Sequence, residues 1–307
     1  MFLLKTSALR LGIATLSIGM FAALGSIRVA AEIIQLDEQN PTLSGRLTRS
    51  AAWPDGSVAL ILHGTLSHRD TEIIESLETL LGEEDVSTLA INLSLGLHNR
   101  VQAFSCDDLH IHRESDASNE LSRWSHWLGE QGVSDITAIG HSRGANQIAR
   151  YAKDSGDTRI AQLVLVAPPQ WSIEKTRQAY ARRHADSLDD LLAEAEAMIA
   201  VGDGGKAMPM PLGLLYCQDA HATAESFVSY YSDDPLRDTP KLLSQLTLPV
   251  LVISGSNDTI APGLPSALQQ RAPNVVGEEI DGADHFFRDL YADELVEIAI
   301  DFINSNP

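Results

Sequence analysis

One stretch, Asp135 to Arg150 with the sequence DITAIGHSRGANQIAR, constrains this chain more than any other. Asp135 to Ile139 is a short apolar run rich in β-branched residues, which predicts a strand, and Ala145 to Tyr151 has the spacing of a helix. Between them lies Gly140-His141-Ser142-Arg143-Gly144. A serine flanked two residues away by glycines can sit on a sharp strand-to-helix turn with its hydroxyl projecting. G-x-S-x-G alone is a common pattern. It acquires chemical meaning only if the chain also supplies a histidine to take the serine proton and a carboxylate to orient that histidine.

The flanking sequence repeats the alternation of strand and helix. Glu32 to Leu36 and Leu43 to Ser50 read as two short strands around Asn40-Pro41, forming an antiparallel sheet edge. Val58 to Leu62 and Ser87 to Leu93 are continuous apolar runs suited to strands buried on both faces, with a helical rhythm over Thr71 to Leu81 between them. Ser94 to Ser118 is polar and reads as a long solvated loop, Glu120 to Glu130 as helix, and Ile160 to Val166 as a further strand. Such alternation predicts an α/β fold with a mostly parallel β-sheet flanked by helices.

From Trp171 to about Leu243 no strand-like run intrudes. Leu188, Leu191, Leu192, Ala195, Met198 and Ile199 follow helical spacing, and Phe227, Tyr230 and Tyr231 predict a second helix, so residues 171–243 read as an inserted helical cap. The core then falls into two parts, 32–170 and 244–307. The second part resumes with a strand over Leu248 to Gly255, a helix over Pro262 to Arg271, a last strand over Asn274 to Ile280 and a closing helix from Leu290 to Asn304.

In this arrangement Asp258 follows one late strand and His285 the next, so both can reach the carboxyl edge of the sheet, where open α/β sheets bind ligands. The chain order Ser142, Asp258, His285, together with LILHGT at Leu60 to Thr65, GHSRGA at Gly140 to Ala145, LPVLVISGSND at Leu248 to Asp258 and GADHF at Gly282 to Phe286, resembles the alpha/beta-hydrolase superfamily, in particular its capped serine esterase or lipase-like members. The resemblance covers nearly all of the chain after its first 31 residues. It implies Ser142 as nucleophile, His285 as general base and then acid, Asp258 as the orienting carboxylate, and the amides of Thr65 and Arg143 as the oxyanion hole. Arg143 stands where many members carry an apolar residue, which leaves the role of its side chain open. Asp284 adjoins His285, but neighbouring side chains diverge, so Asp258 is the better orienting acid. His63 and His141 read as structural. His110 and His112 share one face of an extended segment but lack a third histidine at ligand spacing.

The first 31 residues carry Lys5 and Arg10 ahead of an uncharged apolar run from Leu11 to Ile27, then the small residues Val29, Ala30 and Ala31, the pattern of a secretory signal. Cleavage after Ala31 would make the protein periplasmic or secreted; the alternative is an uncleaved N-terminal membrane anchor. The net charge is −20, and the signal holds three cations and no acid, so its loss leaves −23. That charge disfavours nucleic acid and anionic membrane as partners. Cys106 and Cys217 could pair in an oxidising compartment if their Cα atoms lie within about 7 Å.

The expected function is hydrolysis of a small-molecule carboxylic ester through an acyl-Ser142 intermediate, with no metal or organic cofactor and no stable membrane insertion after signal removal. Alternatives are a thioester, amide, lactone or carbon–carbon bond as the scissile group, or a non-catalytic binding protein of the cell envelope. Met208, Met210, Leu214, Leu215, Phe227 and Tyr230 are the expected apolar walls from the cap.

Overall fold

The computed structural model describes residues 31–37, 39–184, 186–261 and 273–306. The signal expected over 1–31 therefore lies, apart from Ala31, outside the described residues, as does the helix expected over 262–271. Among the described residues, no helix is long and apolar enough to cross a membrane.

In chain order the elements are β1 (Glu32–Leu36), β2 (Leu43–Thr48), β3 (Val58–Leu62), α1 (Glu72–Glu83), β4 (Ser87–Asn92), β5 (Leu109–His110), α2 (Glu114–Glu130), β6 (Ile136–His141), α3 (Arg143–Ser155) and β7 (Ile160–Val166). There follow α4 (Ile173–His184), α5 (Leu188–Ala200), β8 (Leu212–Leu214), β9 (Cys217–Ala222), α6 (Ala224–Tyr231), a single 3-10 turn at Pro235–Arg237, α7 (Thr239–Leu243), β10 (Val250–Gly255), β11 (Val275–Ile280) and α8 (Leu290–Ser305). Eight strands form one sheet in the order β1-β2-β4-β3-β6-β7-β10-β11. β2 runs antiparallel to both β1 and β4, and every pairing from β4 to β11 is parallel.

The central strands are buried on both faces, and successive side chains divide between two cores. On one face Leu60, Leu62, Ala138, Leu163 and Val252 pack with Leu121, Trp124 and Leu128 of α2 and Ala145 and Ile148 of α3. On the other, Ala59, Ile61, Ile139, Val164 and Ile253 pack with Ile74, Leu77 and Leu81 of α1 and Val296, Ala299 and Ile303 of α8. The continuous apolar runs of β3, β4, β6, β7 and β10 exist because each strand must satisfy two cores at once.

Three expectations need correction. First, α2 begins at Glu114, inside the stretch read as loop. The Asp116 carboxylate accepts from the Arg113 amide at 2.7 Å and so stabilises the first turn, a short-range cue hidden among Ser115, Asp116, Ser118 and Asn119. Secondly, His110 and His112 are not solvated but almost wholly buried. Thirdly, residues 171–243 are mostly helical but also contain β8 and β9. These join β5 in a second, three-stranded sheet, in which β5 pairs parallel and β8 antiparallel with β9. β5 and β8 are only two and three residues long, and β9, with the sequence CQDAHA, is half polar and lacks the apolar run of the central strands.

Cys106 and Cys217 form a disulfide with their Cα atoms 5.5 Å apart. It ties the loop before β5 to the start of β9, so the segment after β4 and the segment after β7 are fastened together above the sheet.

Candidate active site

Ser142 sits at the N-terminus of α3 with φ 55° and ψ −124°, a left-handed backbone that a serine adopts only when its surroundings impose it. Two glycines make that turn possible. A Cβ on Gly144 would come within 2.3 Å of the His63 carbonyl oxygen, and one on Gly140 within 2.6 Å of the Ala145 backbone. Strand β6, helix α3 and the end of β3 can therefore approach one another only without side chains at these positions. The Ser142 amide is held by the Val166 carbonyl at 2.8 Å.

The end of β11 and the end of β10 bring the partners. Ser142 Oγ lies 3.0 Å from His285 Nε2, and His285 Nδ1 lies 2.7 Å from Asp258 Oδ2. The other oxygen of Asp258 accepts from the amides of Ile260 and Ala261 at 2.7 and 2.9 Å. Burial pushes the Asp258 carboxyl up, but the hydrogen bonds from His285, Ala261 and Ile260 more than offset this and leave its pKa below the usual value. The carboxylate is thus held charged against the imidazole. Asp284 points elsewhere, to Arg288 at 3.0 Å and the Phe286 amide at 2.8 Å.

The turn His63-Gly64-Thr65 is braced by a buried arginine. Arg100 and the Leu93 amide can only donate, so His63 Nε2 accepts from both, at 2.9 and 3.2 Å, and Nδ1 carries the proton donated to the Gly64 carbonyl at 2.8 Å. Burial, with the Arg100 charge beside it, holds the His63 pKa well below its usual value. His141 is likewise neutral: it donates from Nε2 to the His285 carbonyl at 2.9 Å, and burial, helped by the neighbouring His285, lowers its pKa to about 4. Both histidines position backbone.

Gly64, Thr65, Ser142, Arg143 and His285 line one cleft of about 730 Å³, and Asp258 lies behind His285 with its side chain fully buried. That volume is in the range of small-molecule sites. Among the described residues, neither the Thr65 nor the Arg143 amide donates to another group. The cleft also lies at the positive end of α3, where an anion is favoured. Of the six apolar walls expected from 171–243, only Leu215 lines it; Met208, Leu214, Phe227 and Tyr230 are buried in the core and Met210 is exposed. Sequence reading missed Ile73, Tyr216, Ile260 and Phe286 as apolar lining, and Arg183 and Arg288 as charged lining, since none has a local signature of a site.

The Arg143 side chain turns away from the elbow into a buried polar cluster. Its guanidinium pairs with Glu114 at the start of α2 and lies over the Tyr230 ring of α6, 5.2 Å from the centroid. The Tyr230 hydroxyl is 2.9 Å from His112 Nδ1, and Ser226 accepts from His110 at 2.7 Å while donating to the His112 carbonyl at 2.8 Å. No group of three or more His, Cys, Asp or Glu among the described residues could hold a metal ion.

Comparison with known proteins bears on the fold. No curated protein matches the chain. Solved structures do: Est1E from Butyrivibrio proteoclasticus (18% identity, TM-score 0.59, covering 89% of this chain and 99% of that one), an esterase of Pyrococcus furiosus (18%, 0.55, 90% and 90%) and the alpha/beta hydrolase GrgF from Penicillium sp. sh18 (14%, 0.66, 91% and 99%). At such identities these show a shared fold. The model of the alpha/beta hydrolase family matches residues 41–298, nearly all of the described sheet and the site upon it, and the chain belongs to that family.

Proposed function

We propose that this alpha/beta hydrolase is a serine esterase that works through an acyl-Ser142 intermediate. The observation that carries the reading is the unbroken chain from Ser142 Oγ to His285 at 3.0 Å and from His285 to Asp258 at 2.7 Å, opening on a cleft of ligand size. His285 Nε2 takes the Ser142 proton as Oγ attacks the ester carbonyl carbon. Asp258 holds the resulting imidazolium in place. The oxyanion is received by the Thr65 and Arg143 amides at the positive end of α3, each worth about 3 to 4 kcal/mol in such a site. His285 then protonates the leaving alkoxide, and a water deprotonated by His285 releases the acid and restores Ser142.

The Pyrococcus furiosus esterase among the structural neighbours supports ester hydrolysis, and another neighbour, Est1E, is described with ferulic acid bound. The reading extends to export: the N-terminal signal pattern and the disulfide between Cys106 and Cys217 both fit an oxidising compartment outside the cytoplasm. A panel of para-nitrophenyl esters graded by acyl length tests the activity. Turnover that is abolished in Ser142→Ala is expected; a wild-type protein that hydrolyses none of them overturns the proposal.

A further inference from the structure

The cleft is charged against the grain of the molecule. In a chain of net charge −20, its lining includes Arg143, Arg183 and Arg288 but a single carboxylate, Glu72. Two of the arginines are already neutralised. Arg143 pairs with Glu114, and Arg288 pairs with Asp284 at 3.0 Å and Glu72 at 3.4 Å.

Arg183 differs. It lies in the last turn of α4, and its Nη1 donates to the carbonyl of Leu215, itself a cleft residue, at 2.9 Å. Among the described residues, no carboxylate lies within 4.0 Å of it. The Leu215 carbonyl also accepts from His184 at 3.2 Å, and the Leu215 amide donates to the Tyr231 hydroxyl at 2.6 Å, so the residue against which Arg183 rests is held from three sides. One of five guanidinium N–H donors is thereby used, and the solvent-exposed guanidinium rests at the cleft wall with the rest to spare. A basic residue in the last turn of a helix also complements the helix dipole, but that role does not require a place on the lining of the cleft.

We propose that the cleft takes esters bearing a second, ionised carboxylate, and that Arg183 binds that carboxylate; the inference rests on the esterase reading of the same site. A single unpaired guanidinium matches the single charge and planar geometry of a carboxylate. A phosphate monoester, with close to two charges at neutral pH, would leave one uncompensated. The substrate would lie with its scissile carbonyl at Ser142 and its carboxylate against the cap.

Two matched pairs of esters test this: para-nitrophenyl hexanoate against the mono-para-nitrophenyl ester of adipic acid, and para-(methoxycarbonyl)phenyl butyrate against para-carboxyphenyl butyrate. The first pair places the charge on the acyl side, the second on the alcohol side. The readout is the charged-to-neutral ratio of kcat/KM, which is independent of the folded fraction because both esters meet the same enzyme. Arg183→Ala is expected to lower that ratio about tenfold in at least one pair, about 1.4 kcal/mol, with Arg183→Lys retaining part of it and high salt weakening the wild-type preference. A ratio unchanged within about twofold in both pairs overturns the inference, as does a wild type that turns over only the neutral esters. A wild type inert toward all four overturns the esterase reading as well, which separates the two failures.

Discussion

Replacing Glu114 by Gln probes how the oxyanion side of the site is held. Glu114 and Arg143 side chains are 7% and 25% exposed, intermediate between a surface pair, worth about 0 to 1 kcal/mol, and a fully buried one, whose disruption costs about 3 to 5 kcal/mol. The expected loss is therefore about 2 kcal/mol, or about 4 to 8 °C in Tm for a chain of this size. The Glu114 amide keeps its bond to Ser229 Oγ at 2.9 Å, so the start of α2 is not dismantled. The functional effect follows from position: Arg143 supplies one of the two proposed oxyanion amides, and its side chain is the tether that fixes the first turn of α3 against α2 and Tyr230. Losing an oxyanion donor outright costs about a hundredfold to a thousandfold in kcat. Loosening one should cost about tenfold, with KM changed little, because the interaction is made chiefly in the transition state. Thermal melting and steady-state kinetics on a para-nitrophenyl ester measure both. A variant that melts several degrees lower yet keeps wild-type kcat refutes the reasoning, since the pair would then serve stability alone.

Two further expectations concern the whole fold. Burial lowers the pKa of His110 to about 3 and of His112 and His141 to about 4, below the usual 6.5, so the folded state binds fewer protons than the unfolded one in that range. Above about pH 6.5 these groups are neutral in both states and cost nothing; as pH falls from there towards the folded values, stability drops by about 1.4 kcal/mol per unit for each group and levels off below them. Glu120, raised by burial to about 7, acts in the opposite sense and offsets only one of them. Denaturant titrations should show marked loss of stability between pH 6.5 and 4.5; a flat profile contradicts the buried neutral histidines. The disulfide should matter both to stability and to the site, because Ala103, three residues before Cys106, and Tyr216, next to Cys217, line the cleft. It closes a span of 111 residues, so replacing both cysteines by serine should cost about 2 to 5 kcal/mol and raise KM more than it lowers kcat; equal melting of the oxidised and double-serine proteins would count against this.

What the sequence disclosed depended on whether the signal was local. The runs at Val58–Leu62, Ile136–His141 and Val250–Gly255 announce strands because burial on both faces forces them to be apolar throughout. Gly140 and Gly144 announce the elbow because no side chain fits there. His110 and His112 read as solvated because the groups that bury them, Ser226 and Tyr230, lie more than a hundred residues away. Arg183 and Arg288 reach the cleft only through the packing of separate segments, and β8 and β9 are defined by their partners rather than by their own composition. The side chain of Arg143, opaque in sequence, is explained by Glu114, which sits in a helical turn that read as loop.

The central claim, that Ser142 becomes covalently acylated, is tested most directly by mass spectrometry of protein treated with a fluorophosphonate. A single adduct is expected on the peptide containing Ser142, absent in Ser142→Ala and strongly slowed in His285→Ala. Absence of the adduct from wild-type protein, or an adduct on another residue while ester hydrolysis persists in Ser142→Ala, would contradict it.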